Sequence, residues 1–153
     1  MMDIRSVMKR NVISIKSDAL LGEAIRAFVD NRVGLLPVVD QTGKLVGVLG
    51  LRQVLELSMP AFVGMIEDYD FVHDFGALET SEIPEELLNR PVAELMEAPI
   101  HVVGDCRLMR AAAIMRQHRI RDLPVVDEQD QLVGLASWVD VGTSFLRDRL
   151  GGS

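Results

Sequence analysis

Two residues in the C-terminal half of the chain are of types that either meet a sugar and an anion or cap a helix. Ser137 and Asp140 stand three apart in the stretch GLASWVD, Gly134–Asp140. If a helix begins at Ser137, its hydroxyl and the N–H groups of the first turn face outward, and the helix dipole favours an anion there. Asp140, one turn on, is an acceptor for both hydrogens of a ribose cis-diol. The same pair also spells a capping arrangement with an acidic residue in the first turn, so these residues alone leave both readings open. Just upstream, HRIRDLP carries His118, Arg119 and Arg121. The Arg121 fork suits a pair of phosphate oxygens. Equally, Arg119 and Arg121 balance Asp122 and Asp127 at the surface.

No catalytic constellation accompanies them. There is no nucleophile elbow, no H-E-x-x-H and no P-loop. The three histidines, His73, His101 and His118, fall on unrelated elements. Asp68, Asp70, His73 and Asp74 cluster in sequence, but they lack the spacing and glycine of an EF-hand and read as a solvated acidic face. The expectation is a binding module without enzymatic activity, with no metal and no required cofactor.

Composition narrows the setting. The 153 residues are 48% hydrophobic, enough for a core, and only 5% aromatic, so that core is built from aliphatic side chains and methionine. A formal charge of -7 argues against general DNA binding, which shows a basic footprint. The lone Cys106 has no disulfide partner, no run nears the ~20 apolar residues of a membrane span, and MMDIRSVMKR has no apolar segment after it. A cytoplasmic protein without membrane insertion is expected.

The elements that must position Ser137, Asp140 and Arg121 are written twice. LPVVD occurs at Leu36–Asp40 and again at Leu123–Asp127. Pro37 and Pro124 are 87 residues apart (124 − 37), and the same offset carries Asp18 onto Asp105, Leu21 onto Leu108, Phe28 onto Met115, and Leu45-Val46-Gly47 onto Leu132-Val133-Gly134. Met8 meets Met96 after a one-residue gap, so the duplication runs from that pair to Val54 and Val141. Each copy opens with an extended run, VISI or PIHVV. Asp18 or Asp105 follows where a helix N-cap is wanted. Leu21, Ala24, Ile25, Phe28 and Val29 then form one helical face, as do Leu108, Ala111, Ala112 and Met115. Two β-rich runs come next, joined by DQTG or DEQD, with Gly43 or Asp130 where a left-handed residue fits a hairpin. Proline in the first of those strands predicts an edge strand or a strand beginning there. A final helix closes the copy.

This pattern predicts an α/β (α+β) fold of two β-α-β-β-α units. A unit of about 55 residues buries too little surface to stand alone comfortably. The two are therefore expected to pack sheet against sheet about a pseudo-twofold axis. The expected division is residues 1–57 for unit 1, 58–90 for an inserted linker, 91–149 for unit 2, and 150–153 for a flexible C-terminus.

The ordered set, twice in register, resembles the cystathionine-β-synthase (CBS) domain, and a tandem pair is similar to a Bateman module. The resemblance covers nearly the whole chain outside the insertion. It implies a regulatory sensor of adenine nucleotides, with AMP, ADP, ATP or S-adenosylmethionine as ligand, and pairing into a homodimer. A regulated enzyme or transporter is a further implied partner, since the chain has no catalytic or transport domain. It also places Ser137 and Asp140 in the family's G-h-x-S/T-x-x-D stretch, and Arg121 just before the strand, where such residues reach phosphates. By the same resemblance Ile100, His101 and Val102 lie on the segment lining the purine pocket, with Pro124 beside it. A lone His in an extended segment is otherwise simply hydrogen-bonded or exposed.

The first copy departs at this spot. GVLGLRQ puts Gly50 and Gln53 where the second copy has Ser137 and Asp140. Arg52 there is a possible second phosphate contact, or an ordinary surface salt bridge. One competent site is expected, not two; a ligand-independent dimeric scaffold is the alternative. Within the insertion, Phe62, Met65, Ile66, Tyr69 and either Phe71 or Val72 give a partly helical apolar stripe, with Pro60 suited to a helix start. That stripe covers the module or serves a partner. SEIPEELL reads as a turn into a short helix.

Overall fold

The computed structural model describes residues 2–59 and 82–151. The apolar stripe from Phe62 to Val72, Pro60 and the Asp68–Asp74 cluster lie outside them. Each half forms a three-stranded sheet with helices. In the first, β1 (Ile15–Lys16) runs parallel to β2 (Leu35–Val39), which pairs antiparallel with β3 (Leu45–Gly50). Helix α1 (Leu21–Asn31) lies between β1 and β2, and α2 (Leu51–Ser58) follows β3. Two short helices, α3 (Glu85–Leu88) and α4 (Val92–Leu95), precede the second half. That half repeats the pattern with β4 (Val102–Val103), α5 (Leu108–His118), β5 (Asp122–Val126), β6 (Leu132–Ser137) and α6 (Trp138–Arg147).

The repeat offset survives in fine detail. Both hairpins turn on an aspartate whose Oδ1 accepts two backbone N–H groups: Asp40 from Thr42 and Lys44, Asp127 from Gln129 and Gln131. The left-handed residue sits where expected, at Gly43 (φ 91°) and Asp130 (φ 62°). Helices α1 and α5 both end on a left-handed arginine, Arg32 and Arg119.

Two local expectations are corrected. Asp18 and Asp105 do not cap the helices; the N-cap residues are Leu20 and Arg107. Asp18 instead accepts from Gln41, and Glu23 reaches back to the Leu20 N–H at 2.7 Å. Nor does proline mark an edge strand, since β2 and β5 are central. Pro37 is tolerated because its antiparallel partner Val48 spends both backbone groups on Glu97, and β1 reaches only Val38 and Val39. Pro124 faces Leu135, which spends both of its groups on Lys9. A residue without an N–H loses nothing at a position where the ladder asks for none. The α1 face is also narrower than its periodicity suggests: Leu21, Ala24 and Phe28 are buried, but Val29 is 68% exposed.

The two cores do not follow the chain-contiguous division. Ile4 and Met8 lie in the core of the second half with Val102, Met115, Leu123 and Val141. Val92 and Leu95 lie in the core of the first with Leu21, Phe28, Leu36 and Val54. Matching hydrogen bonds seat the exchanged segments: Ile4 N–H to the Cys106 carbonyl and Val92 N–H to the Ala19 carbonyl, each 2.8 Å. Residues 3–9 are thus assigned to unit 1 by sequence but pack on unit 2, and residues 91–97 do the reverse. Glycine makes room for both. A Cβ on Gly47 would meet Met96 Sδ at 2.5 Å and the Glu97 carbonyl at 3.1 Å; one on Gly134 would crowd Met8 and the Lys9 carbonyl in the same way. The halves also join at their hairpin tips, Leu45 N–H to the Asp130 carbonyl and Leu132 N–H to the Gly43 carbonyl.

Candidate functional site

Ser137 ends β6 and is the N-cap of α6, with its Oγ accepting the Asp140 N–H at 3.1 Å. The next residue, Trp138, donates its N–H to the Arg121 carbonyl at 2.7 Å. This bond ties the start of α6 to the start of β5 and brings Ser137 and Arg121 to one open cleft of about 600 Å3. Two first-turn N–H groups are therefore already spent inside the protein. The outward donors expected from a bare helix start are correspondingly fewer.

Arg116, Arg119, Asp122 and Trp138 share the cleft wall, above the apolar side chains of Met115 and Ile120. Asp140 stands one turn into α6, half-buried, next to that wall rather than in it. Among the described residues its carboxylate has no hydrogen-bond or salt-bridge partner, so it keeps its full acceptor capacity. Burial raises the Asp122 carboxyl above its ordinary pKa, against the pull of Lys9 and Arg121.

The proposed base-pocket residues lie elsewhere. His101 is exposed, its Nδ1 3.4 Å from the Pro99 carbonyl. It lines a second cleft along α5 with Cys106, Met109 and Arg110. Ile100 packs against the second core, Val102 is buried in it and pairs with Val125, and Pro124 is buried opposite Leu135. None of these four lines the Ser137–Arg121 cleft. His118 is exposed on the last turn of α5. Cys106 is buried, and that burial pushes its thiol pKa up.

The first half shows what the fold requires without a ligand. Leu51 N–H bonds the Gly34 carbonyl at 3.0 Å, the counterpart of the Trp138–Arg121 bond. Gly34, Gly50 and Gln53 therefore stand where the second half has Arg121, Ser137 and Asp140. Gln53 donates to the Leu95 carbonyl and helps hold the exchanged segment. Arg52 is highly exposed and pairs with Glu56 at 3.3 Å, an i,i+4 surface salt bridge. Arg116, Asp122 and Trp138 are not singled out by sequence reasoning. Their signal was in the offset: the other copy has Val29, Leu35 and Leu51 at those positions. Among the described residues no group of three or more His, Cys, Asp or Glu could hold a metal, and no described helix is long and apolar enough to cross a membrane.

Comparison with known proteins agrees with this architecture. The family model for the CBS domain matches residues 4–60 and 92–141. The chain is 30% identical over 149 residues to the CBS domain-containing protein CBSX1, chloroplastic, of Arabidopsis thaliana, covering 94% of this chain and 63% of that protein. It thus spans under two thirds of that relative's length. Its fold is similar to CBSX2 in complex with AMP, with a TM-score of 0.72 at 23% identity, covering 97% of this chain and 99% of that one. It is also similar to the CBS domain pair of protein MJ0100 in complex with 5′-methylthioadenosine and S-adenosyl-L-methionine, with a TM-score of 0.68 at 20% identity over 97% and 98% of the two chains. A duplicated β-α-β-β-α fold with exchanged leading segments, matched in both halves by one family model, makes this chain a member of the CBS domain family, with two copies of the domain.

Proposed function

We propose that the chain is a regulatory module that binds an adenine nucleotide in the cleft of its second half and has no chemistry of its own. The carrying observation is the pairing of Arg121 and Ser137 on one cleft, through the Trp138–Arg121 bond, beside an Asp140 carboxylate with no partner among the described residues. In this reading Asp140 accepts from the ribose hydroxyls and Arg121 meets the phosphate. The adenosine compounds in the CBSX2 and MJ0100 complexes support AMP, ADP, ATP or S-adenosylmethionine as the ligand class. Ligand state passes to a partner, either a second copy of the chain or a regulated enzyme or transporter. That coupling requires the ligand to bind two arrangements of the halves with different affinity.

A fluorescence titration of the lone Trp138 with AMP, ADP, ATP and S-adenosylmethionine tests the reading. Saturable change with at least one of them, abolished in Asp140→Ala, is the expected result. No response to any of the four at millimolar concentration sinks it. One observation favours a second reading, a scaffold indifferent to ligand: Ser137 is spent as a helix cap, as the capping interpretation of its sequence requires. That reading predicts a dimer whose mass by light scattering is the same with and without nucleotide.

A further inference from the structure

Three arginines converge on the cleft of the second half, and the fold does not require them. Arg116 and Arg119 come from the end of α5 and Arg121 from the start of β5. At the same three positions the first half has Val29, Arg32 and Gly34. The duplicated architecture is therefore built equally well with one arginine as with three. None of the three guanidinium groups makes a salt bridge or a hydrogen bond to a carboxylate among the described residues. Asp122 is the one acid in the wall, and it is half-buried. In a chain of formal charge -7, an arginine cluster this local is a binding feature for an anion.

Charge decides which anion. Three guanidinium groups carry three permanent positive charges. A single terminal phosphate carries about -1.5 to -2 at pH 7, short of that total. The helix start contributes little, because the Trp138 and Asp140 N–H groups are occupied. Arginine side chains must therefore carry the anion, and a chain of two or three phosphates matches their charge. A neutral thioether at the ligand's 5′ end would leave them unmatched, and the one carboxylate of S-adenosylmethionine, beyond a cationic sulfonium, occupies a single fork.

Resting on the nucleotide reading above, we infer that this cleft selects a nucleoside di- or triphosphate over AMP, 5′-methylthioadenosine and S-adenosylmethionine, with Arg116, Arg119 and Arg121 as the specificity-determining residues. A charge-assisted hydrogen bond contributes about 1.5–3 kcal/mol, which is roughly ten- to a hundredfold in affinity.

The test is a Trp138 fluorescence titration in magnesium-free buffer at low and high salt. The probes are ATP, ADP, AMP, 5′-methylthioadenosine, S-adenosylmethionine and inorganic tripolyphosphate. ATP or ADP is expected to bind at least about tenfold tighter than AMP, with the steeper salt dependence. Arg116→Val and Arg121→Gly install the first copy's residues; Arg116→Val is expected to bring ATP toward the level of AMP, Arg121→Gly to weaken AMP, ADP and ATP together, and both to leave 5′-methylthioadenosine unchanged. Both sites are exposed, and melting of the free variants controls for folding. Equal binding of AMP and ATP, or tightest binding of S-adenosylmethionine, overturns the selectivity while leaving an adenosine site in place. Tripolyphosphate binding as tightly as ATP, with 5′-methylthioadenosine silent, shows a phosphate-chain site without nucleoside recognition and overturns it as well. Silence from all six probes removes the site itself.

Discussion

Gln53 donates through Nε2 to the carbonyl of Leu95, 42 residues further along the chain. It stands at the repeat position of Asp140, whose carboxylate has no partner among the described residues. One position of the duplicated fold therefore ties an exchanged segment into the core in one half and stands beside a cleft wall in the other. The difference is chemical: an amide carries the N–H that the Leu95 carbonyl needs, and a carboxylate does not.

Gln53→Ala leaves that partly buried carbonyl without its donor. A loss of about 1–2 kcal/mol in stability is expected, with nucleotide response at Trp138 unchanged. Urea unfolding followed by circular dichroism measures the first, and titration the second. A variant as stable as the parent removes the anchoring role.

Ser137 and Asp140 are separable. Ser137→Ala deletes the cap of α6 and is expected to cost about 1 kcal/mol. Asp140→Asn breaks no side-chain bond among the described residues, so its melting temperature should barely move while its nucleotide affinity falls. Equal destabilisation by both substitutions would place the aspartate in an internal contact instead.

The exchange of leading segments makes Ile4 a core residue of the half it does not belong to in sequence. Ile4 is fully buried among Met8, Met115 and Val141. Ile4→Ala should cost about 2–5 kcal/mol, more than expected for a residue near a chain terminus. Gly134→Ala should destabilise the same contact by about 1–3 kcal/mol, because the new methyl would crowd Met8 and the Lys9 carbonyl. Hydrogen exchange should show lost protection in β6 for both. Loss confined to the first half would contradict the exchange.

Asp122 makes stability depend on pH. Its folded carboxyl is raised above the ordinary value of 3.8 by burial, so the native state binds the proton more tightly than the unfolded chain does. Stability from this group is therefore present below the unfolded pKa and lost as pH rises through the folded one. Asp122→Asn should be more stable than the parent at neutral pH, with the gain fading as pH falls toward about 3.8. Urea midpoints across that range provide the check, and a gain that persists unchanged in acid would assign it to something other than ionisation.

Much of the molecule was legible in the residues. The offset of 87 located both hairpins, both central strands and both helix faces, because side-chain period and turn chemistry are local properties. Helix capping was misread at Asp18 and Asp105 because the helices begin two residues later, a boundary set by the pairing of Leu20 with Pro91 and of Asp3 with Arg107. Pro37 and Pro124 looked like edge markers because the sequence does not show that Val48 and Leu135 turn their backbone groups to another segment.

The sequence by itself determined that two copies of one unit exist, which strands and helices each contains, and that only the second carries Ser137 and Asp140. All three follow from patterns within a few residues and one long repeat. Only the tertiary structure decided which half each leading segment joins, and that Arg116, Arg119 and Arg121 share a cleft while His101 faces another. Those outcomes depend on which carbonyls and apolar surfaces remain unsatisfied once each sheet has formed, and that is a property of the assembled halves.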